Sequence, residues 1–550
     1  MYNEVMKNQT SNLPQSYTET ELSTLDKEEL IRIVLANQEN IASMDQKLQK
    51  ILEEIACANR NRFGRSSEKI PVANQIAFAE VNGEIVFFNE AEAVVDLSAS
   101  EDDSSEDGIS TKNHTSKRLG KREEGISGIP VTSIEHYMSD EELTSRFGTN
   151  GWKRLPDEVY KRYKFVPSSV GIEEHHVGVY ASKKDDEIVK AKHPAYLLRG
   201  SLVSPSLEAA VLNAKYVNAT PLYRLEKEFE RYGLHIPRQN MAKWTIECAE
   251  RYLSVFYEYL KKKMLRYHVL QADETPLLVN KDGRDAGSKS YMWVYRTCHM
   301  YDKQIILYEY QKTRNTSHPR EFLKDFNGVC VTDGYQVYHT LEKEKEDLTI
   351  AGCWAHARRR FDEAVKALPK NQQKSCLANK ALALIQGIYR ADKELADLTP
   401  DERRLKRQIS VQPLVKAYFG FLSDNKHLVL PKSKTAKGFE YSLNQQKYLE
   451  TFISDGEVPM DNNSAEQSIR PFCIGKKNWV MIDTISGAKA SAIAYSLAET
   501  AKANNLKPYD YFKYLLEVIP EHMEDTNLDF CENLLPWSKN LPDEIRKVVK

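Results

Sequence analysis

The eight cysteines of this 550-residue chain form no CxxC pair, and none lies between Cys57 and Cys248. Thiols so scattered, with no secretory leader ahead of them, exclude a disulfide framework and predict a reducing compartment. No apolar run approaches the length of a bilayer span, so no membrane-crossing helix is expected. Lys and Arg are missing from Ile70 to Thr111, while Glu80, Glu84, Glu90, Glu92, Asp96, Glu101, Asp102, Asp103, Glu106 and Asp107 accumulate there. The net charge of the whole chain is only −2, so the rest is net basic and suits a polyanionic partner. The chain is 41% hydrophobic and 28% charged. That is enough for folded cores in a soluble, cytoplasmic protein of roughly two to four domains.

Leu30, Val34, Asn37, Ile41, Met44, Leu48, Ile51, Ile55 and Ala58 alternate spacings of four and three, a heptad seam. It predicts a coiled coil through which the chain self-associates, with Asn37 fixing register. "NRNRFGRSSEK" follows, Asn59 to Lys69, a basic arm around a glycine turn that completes a first region, 1–69. Residues 70–128 are acidic, rich in serine and poor in large apolar side chains, which reads as a largely disordered linker. Strand-like runs at Tyr160–Val166 and Ile172–Ala181 make 129–203 a small β-rich module. Its His175 and His176 are neighbours that point to opposite faces of a strand, and no cysteine stands near to join them. Zinc is therefore not expected there.

From Ser204 the periodicity becomes helical. "SPSLEAAVLNAKYVN" has a serine cap and a first-turn proline, "TPLYRLEKEFERYG" ends on Gly233, and "HIPRQNMAKWTIECAERYL" begins a third helix. Arg238, Gln239, Asn240 and Lys243 fall on its first turns, so 204–265 has the outline of a DNA-binding helix-turn-helix.

Beyond it, "YHVLQADETPLLV" runs an apolar strand into Asp273, and "SYMWVYRTC" and "QIILYEYQ" read as two further strands. A helix near Ser317–Arg320, a buried strand Val329–Thr332 ending in Asp333, and a helix and strand before "CWAHARRRF" complete the order. Three strands, a helix, a strand, a helix and a further strand is the order of a ribonuclease-H-like α/β domain. The separation of Asp273 and Asp333 accommodates two antiparallel returns and a crossover helix. Glu466 in "MDNNSAEQSIRPFCIGKKNW" lies much further on, so the helical stretch at about 364–454 reads as an insertion. Asn462 or Asn463 is expected to cap the helix that carries Glu466 and, one turn on, Arg470. Three carboxylates brought together repel one another and require cations. Hard oxygen ligands favour Mg²⁺ or Mn²⁺, and two such ions about 3.5–4 Å apart activate a water or a 3′-hydroxyl.

"LQADETP", "VTDGYQVYH", "AGCWAHARRRF", the Glu466 stretch and "AYSLAETAKANNLKPYDYFKYLLE" together resemble the transposases of the insertion sequence 66 family. The likeness runs from about Ser204 to Pro520, as several specific strings in order. It implies an acidic triad of Asp273, Asp333 and Glu466 that holds two Mg²⁺ (or Mn²⁺) ions. Arg470, Lys476 and Lys477 would then face DNA phosphates, positioning rather than reading sequence. Cys353 and His356 also match, as auxiliary residues that orient the site or contact the scissile phosphate, or as buried packing. The cysteine-rich zinc segment usual in such relatives is absent here, so zinc is not carried over.

The resemblance implies a bacterial DDE-type transposase, nucleoid-associated, acting on double-stranded element ends and target DNA, with accessory proteins of the same element as candidate partners. Its catalytic domain would span 266–520, followed by a tail at 521–550. A catalytically silent DNA-binding regulator and a nuclease of the same fold are the alternatives.

Overall fold

The computed structural model describes residues 26–28, 77–81, 84–88, 138–149, 170–181, 188–191, 196–285 and 287–547. The heptad seam, the basic arm and the run Tyr160–Val166 lie outside them. Within the acidic stretch, Ala77–Val81 and Glu84–Phe88 pair as antiparallel strands. The Asn82-Gly83 pair between them is a strong sequence signal for a hairpin, one that acidic composition hides. A separate helix, Asp140–Phe147, starts on a capping box made by Ser139 and Glu142. The expected strand Ile172–Ala181 forms only over Val179–Ala181, paired antiparallel with Ile188–Lys190. His175 and His176 are exposed beside Glu173 and Glu174.

The helical region begins as its sequence predicts. Ser204 accepts a hydrogen bond from the Leu207 N–H at 3.2 Å, ahead of the helix Pro205–Leu212. The next helix, Leu222–Arg231, is followed by Gly233 at φ 78° and then by helix α1, Arg238–Cys248. Val211, Leu225, Phe229, Ile236 and Met241 form the small core that joins these three.

The central sheet holds strands β1 (Val269–Lys281), β2 (Lys289–Thr297), β3 (Ile306–Gln311), β4 (Gly328–Thr332) and β5 (Leu348–Gly352), in the spatial order β3-β2-β1-β4-β5. The first three are antiparallel; β4 and β5 run parallel to β1. The helix Ser317–Phe322 connects β3 to β4, and helix α2, Gln336–Glu344, connects β4 to β5. Gly328 opens β4 at φ 149°, and a Cβ there would stand 2.2 Å from the His268 carbonyl oxygen, so only glycine fits. After β5 come helix α3 (Trp354–Lys366), the helical insertion, helix α4 (Asn463–Trp479) and helix α5 (Ile485–Ala503). No helix among the described residues is long and apolar enough to cross a membrane.

The free edge of the sheet is closed by α5. Ser496 accepts from the Tyr308 N–H, Thr500 bonds both the N–H and the carbonyl of Ile306, and Asn504 does the same for Gln304. A hydroxyl or amide every fourth residue thus meets the backbone groups that a missing neighbour strand would leave open.

Two buried arginines tie the insertion to the segment that leads into α4. Arg407 pairs with Asp392 at 2.7 Å and donates to the carbonyls of Phe452, Asp455 and Val458. Arg403 donates to Gly456 and to Leu395, Ala396 and Leu398. Removing Arg407 would strand those carbonyls and the Asp392 charge. Arg407→Met is expected to cost about 3 kcal/mol in urea unfolding, the scale for breaking a buried pair.

Candidate active site

The pairing of β1 with β4 matches Val269 to Val329, Leu270 to Cys330 and Gln271 to Val331. Continued two residues, the same register sets Asp273 beside Asp333. One oxygen from each of Asp273, Glu274 and Asp333 lies within 4.8 Å of the others. Asp273 accepts its own neighbour's N–H, from Glu274, at 2.8 Å. Asp333 accepts the Tyr335 N–H at 2.9 Å across a turn whose Gly334 has φ 90°. The Tyr441 hydroxyl, from the insertion, donates to the Asp333 carbonyl at 2.8 Å.

Burial first, and then the charges of Glu274, Asp333 and Glu466, push the Asp273 carboxyl up to about 8. Burial and Asp333 push Glu274 up to about 7, against the opposing pull of Arg314. A divalent cation would relieve this crowding, and an all-oxygen cluster fits Mg²⁺ or Mn²⁺. Glu274 keeps one buried oxygen, Oε2, without a hydrogen-bond partner. Its other oxygen accepts from Arg314, whose guanidinium stacks 3.7 Å from the Tyr335 ring centroid.

Glu466 joins a different group. Its Oε2 accepts from Arg359 at 2.8 Å, and its Oε1 stands 3.6 Å from His356 Nδ1, with Cys353 Sγ close by. The Glu466 charge still acts on Asp273, but its side chain is turned to α3. The resting geometry therefore brings Asp273 and Asp333 together and holds Glu466 with Arg359 and His356. Burial lowers the His356 pKa, opposed by Glu466. Burial also pushes the Cys353 thiol up to about 12.

The expected asparagine cap is corrected. Asn462 occupies the position before α4 but makes no side-chain cap. Its amide donates instead to the Ala272 carbonyl at 2.7 Å, and its N–H donates to Cys353 Sγ at 3.2 Å. Asp461 accepts the Asn463 N–H at 3.1 Å. One fully buried asparagine thus links the residue before Asp273, the CWAH turn and the Glu466 helix. Beneath them, buried Arg296 donates to Ser464 O and Ser468 Oγ, both at 3.0 Å, and steadies the start of α4.

Arg238, Gln239, Asn240 and Lys243 are exposed on the first turns of α1. Arg470 and Lys477 are exposed on α4, whereas Lys476 donates to the Pro276 carbonyl at 2.6 Å. Glu274, Arg314 and Arg359 were not singled out from sequence, and Asn462 was read only as a helix cap. An acid directly after Asp273 and an arginine three residues after His356 are the signals that mark two of them.

A mixed sheet with Asp273 on one strand and Asp333 just past the end of its parallel neighbour is compatible with a DDE transposase domain. The family model "Transposase IS66 family" matches residues 200–490, and "IS66 C-terminal element" matches 496–537. The chain belongs to the IS66 transposase family, whose members are expected to act on DNA with a divalent metal ion. It is 28% identical over 377 residues to Uncharacterized protein y4qI of Sinorhizobium fredii (strain NBRC 101917 / NGR234), covering 66% of this chain and 68% of that protein. Uncharacterized protein y4jD of the same strain is 26% identical over 363 residues, covering 64% and 70%.

Proposed function

We propose that this protein is a DDE-type transposase that cleaves the ends of its element and joins the freed 3′-hydroxyl to target DNA. The observation that carries the reading is the proximity of Asp273, on β1, to Asp333, just past the end of the parallel strand β4, with α4 carrying Glu466 close enough for its charge to act on Asp273. The strand order β3-β2-β1-β4-β5, with β1 to β3 antiparallel, β4 and β5 parallel to β1, and a short sixth strand, Ile482–Thr484, pairing parallel with the far end of β1, supports a ribonuclease-H-like domain over 266–520 with its helical insertion at about 364–454.

Asp273, Asp333 and Glu466 are the ligands in this reading, and Glu274 is close enough to stand behind them. Bound Mg²⁺ or Mn²⁺ supplies the positive charge that activates a water or a 3′-hydroxyl and stabilises the leaving oxygen. Asp273, which burial and its acidic neighbours push up to about 8, would have to be ionised to act as a ligand. To serve as a ligand Glu466 would have to give up its pairing with Arg359, and that arginine would then be available to a DNA phosphate. Asn462 and Arg296 keep α4 in place while Glu466 turns. No side chain acts as a covalent nucleophile.

Arg238, Gln239, Asn240 and Lys243 contact the element's ends, while Arg470 and Lys477 hold phosphates near the acids. Lys476, bound to a carbonyl, supports α4. Arg238→Ala or Lys243→Ala is expected to weaken end binding and to lower the salt slope by about 1 each. A slope unchanged in both, measured by fluorescence anisotropy, would remove α1 from the interface.

The seam Leu30–Ala58 drives self-association in this reading. Charges placed at Ile41 and Leu48 are expected to give monomers by light scattering, and an unchanged oligomer would refute the coiled coil. Strand joining with purified protein, labelled pre-nicked end DNA and Mg²⁺ tests the whole proposal. Joined product supports it; cutting without joining indicates a nuclease, and binding alone a regulator.

A further inference from the structure

The CWAH turn and Glu466 form a cluster whose chemistry differs from that of the acidic pair. Cys353 Sγ, one ring nitrogen of His356 and a carboxylate oxygen of Glu466 lie within 4.8 Å of one another. One sulfur, one nitrogen and one oxygen is a donor set for a borderline or soft ion, whereas Asp273, Glu274 and Asp333 offer oxygen alone. We propose that Cys353, His356 and Glu466 bind a thiophilic divalent ion of the zinc class, and that this ion inhibits the enzyme by holding Glu466 away from Asp273 and Asp333. The inhibitory half rests on the catalytic reading of Glu466; the binding half stands on its own.

Three observations carry it. His356 Nδ1 and Glu466 Oε1 are buried, face each other at 3.6 Å and have no hydrogen-bond partner. Two ligand atoms on a tetrahedral ion at about 2.0–2.1 Å stand roughly 3.4 Å apart, so the pair is already near ligand spacing. Buried polar atoms without partners call for an explanation, and an ion ligated by both would give one.

Burial raises the Cys353 thiol, but two features of its position work in the opposite direction. Cys353 sits at the cap position of α3, where helix N–H groups favour a negative charge. It also receives the Asn462 N–H at 3.2 Å, a bond that would orient and stabilise a thiolate.

Third, a path exists for the exchange. Cys353 is wholly buried, but the His356 and Glu466 side chains are 19% and 23% exposed, so an ion can enter from their side. Arg359, which bonds Glu466 Oε2 and approaches His356 Nε2 at 3.4 Å, has a side chain 50% exposed and can swing into solvent. The proton balance is simple. The Cys353 thiol proton leaves to solvent as the metal–sulfur bond forms. His356 stays neutral, with its proton on Nε2 once Nδ1 ligates, which breaks the contact with Arg359. Water fills the fourth position.

The test uses the full-length protein without DNA, titrated with Co²⁺ as a spectroscopic probe and then with Zn²⁺. The expected result is one equivalent of Co²⁺ with a thiolate-to-metal absorption band, displaced by Zn²⁺. Cys353→Ser should abolish the band, Cys473→Ser should keep it, and His356→Ala should weaken binding by about tenfold or more. Circular dichroism of each variant checks the fold. If Cys353→Ser does not fold, protection of Cys353 from alkylation by Zn²⁺ in the native chain, read by peptide mass, decides instead. No thiolate band, a band unchanged in Cys353→Ser, or no protection would overturn the site. Measured against each protein's own Mg²⁺-driven joining without Zn²⁺, Zn²⁺ should inhibit the native protein at a clearly lower concentration than Cys353→Ser; equal sensitivity of the two would overturn the regulatory half. The Co²⁺ spectrum needs no catalysis, so failure of the transposase reading and failure of the site remain distinguishable.

Discussion

Asp273→Asn, Asp333→Asn and Glu466→Gln are each expected to abolish both cleavage and joining while leaving binding to element ends intact. Each replacement keeps nearly the same shape and removes one negative ligand. The expected loss is about a thousandfold or more, because roughly 4 kcal/mol of lost transition-state stabilisation already produces that factor. End binding should survive because its contacts lie on α1 and on phosphate-facing cations, not on the acids. Glu466→Gln carries the sharpest information. At rest Glu466 pairs with Arg359, so the amide variant also releases that arginine. If Glu466 served only to hold Arg359, Arg359→Ala would lose activity as fully as Glu466→Gln. If Glu466 is a ligand, Arg359→Ala should keep measurable joining. Glu457 and Asp461 are the competing acids. Glu457 accepts from the Tyr301 hydroxyl at 2.5 Å, and the Tyr389 hydroxyl donates to Asp461 at 3.2 Å, so both are committed elsewhere. Full joining in Glu466→Gln together with loss in Asp461→Asn would move the third position to Asp461.

The adjacency of Asp273 and Asp333 was legible because apolar strand runs end on each of them. The first run must sit at the sheet's centre, so parallel pairing leaves little freedom in register. The helix of Glu466 was legible from its periodicity and its flanking asparagines. Its attachment was not. Asn462 looks like a cap, yet its amide reaches the Ala272 carbonyl, a partner no local pattern announces. The same holds for Arg403 and Arg407, which no local pattern singles out and which are buried carbonyl anchors. Long-range bonds of polar side chains have no period in sequence. Ser496, Thr500 and Asn504 do have one, and their spacing of four becomes meaningful only once an unpaired strand edge lies beside them.

Metal-free protein should lose stability as pH rises toward about 8, and Mg²⁺ should restore it. The cause is the pair Asp273 and Glu274, pushed to about 8 and about 7 from ordinary values of 3.8 and 4.5. Between those limits the folded chain holds protons that the unfolded chain has released. Their contribution is therefore present in full below about pH 4 and is lost as pH passes through 7 and 8. Many other groups titrate across that range, so the informative quantity is the difference between the native chain and Asp273→Asn. Asparagine cannot ionise. Without metal, the variant's melting temperature relative to the native protein should rise between pH 6 and pH 8.5, by about 3 °C or more if a kcal/mol or so is recovered. With Mg²⁺ the order should reverse at pH 8.5, because a bound cation stabilises the ionised native cluster and finds one ligand fewer in the variant. Differential scanning calorimetry at the two pH values, with EDTA and with excess Mg²⁺, reads all four conditions. A difference that stays flat with pH in EDTA would show that Asp273 is ionised without metal. A Mg²⁺ shift of equal size in both proteins would show that the ion does not bind at Asp273.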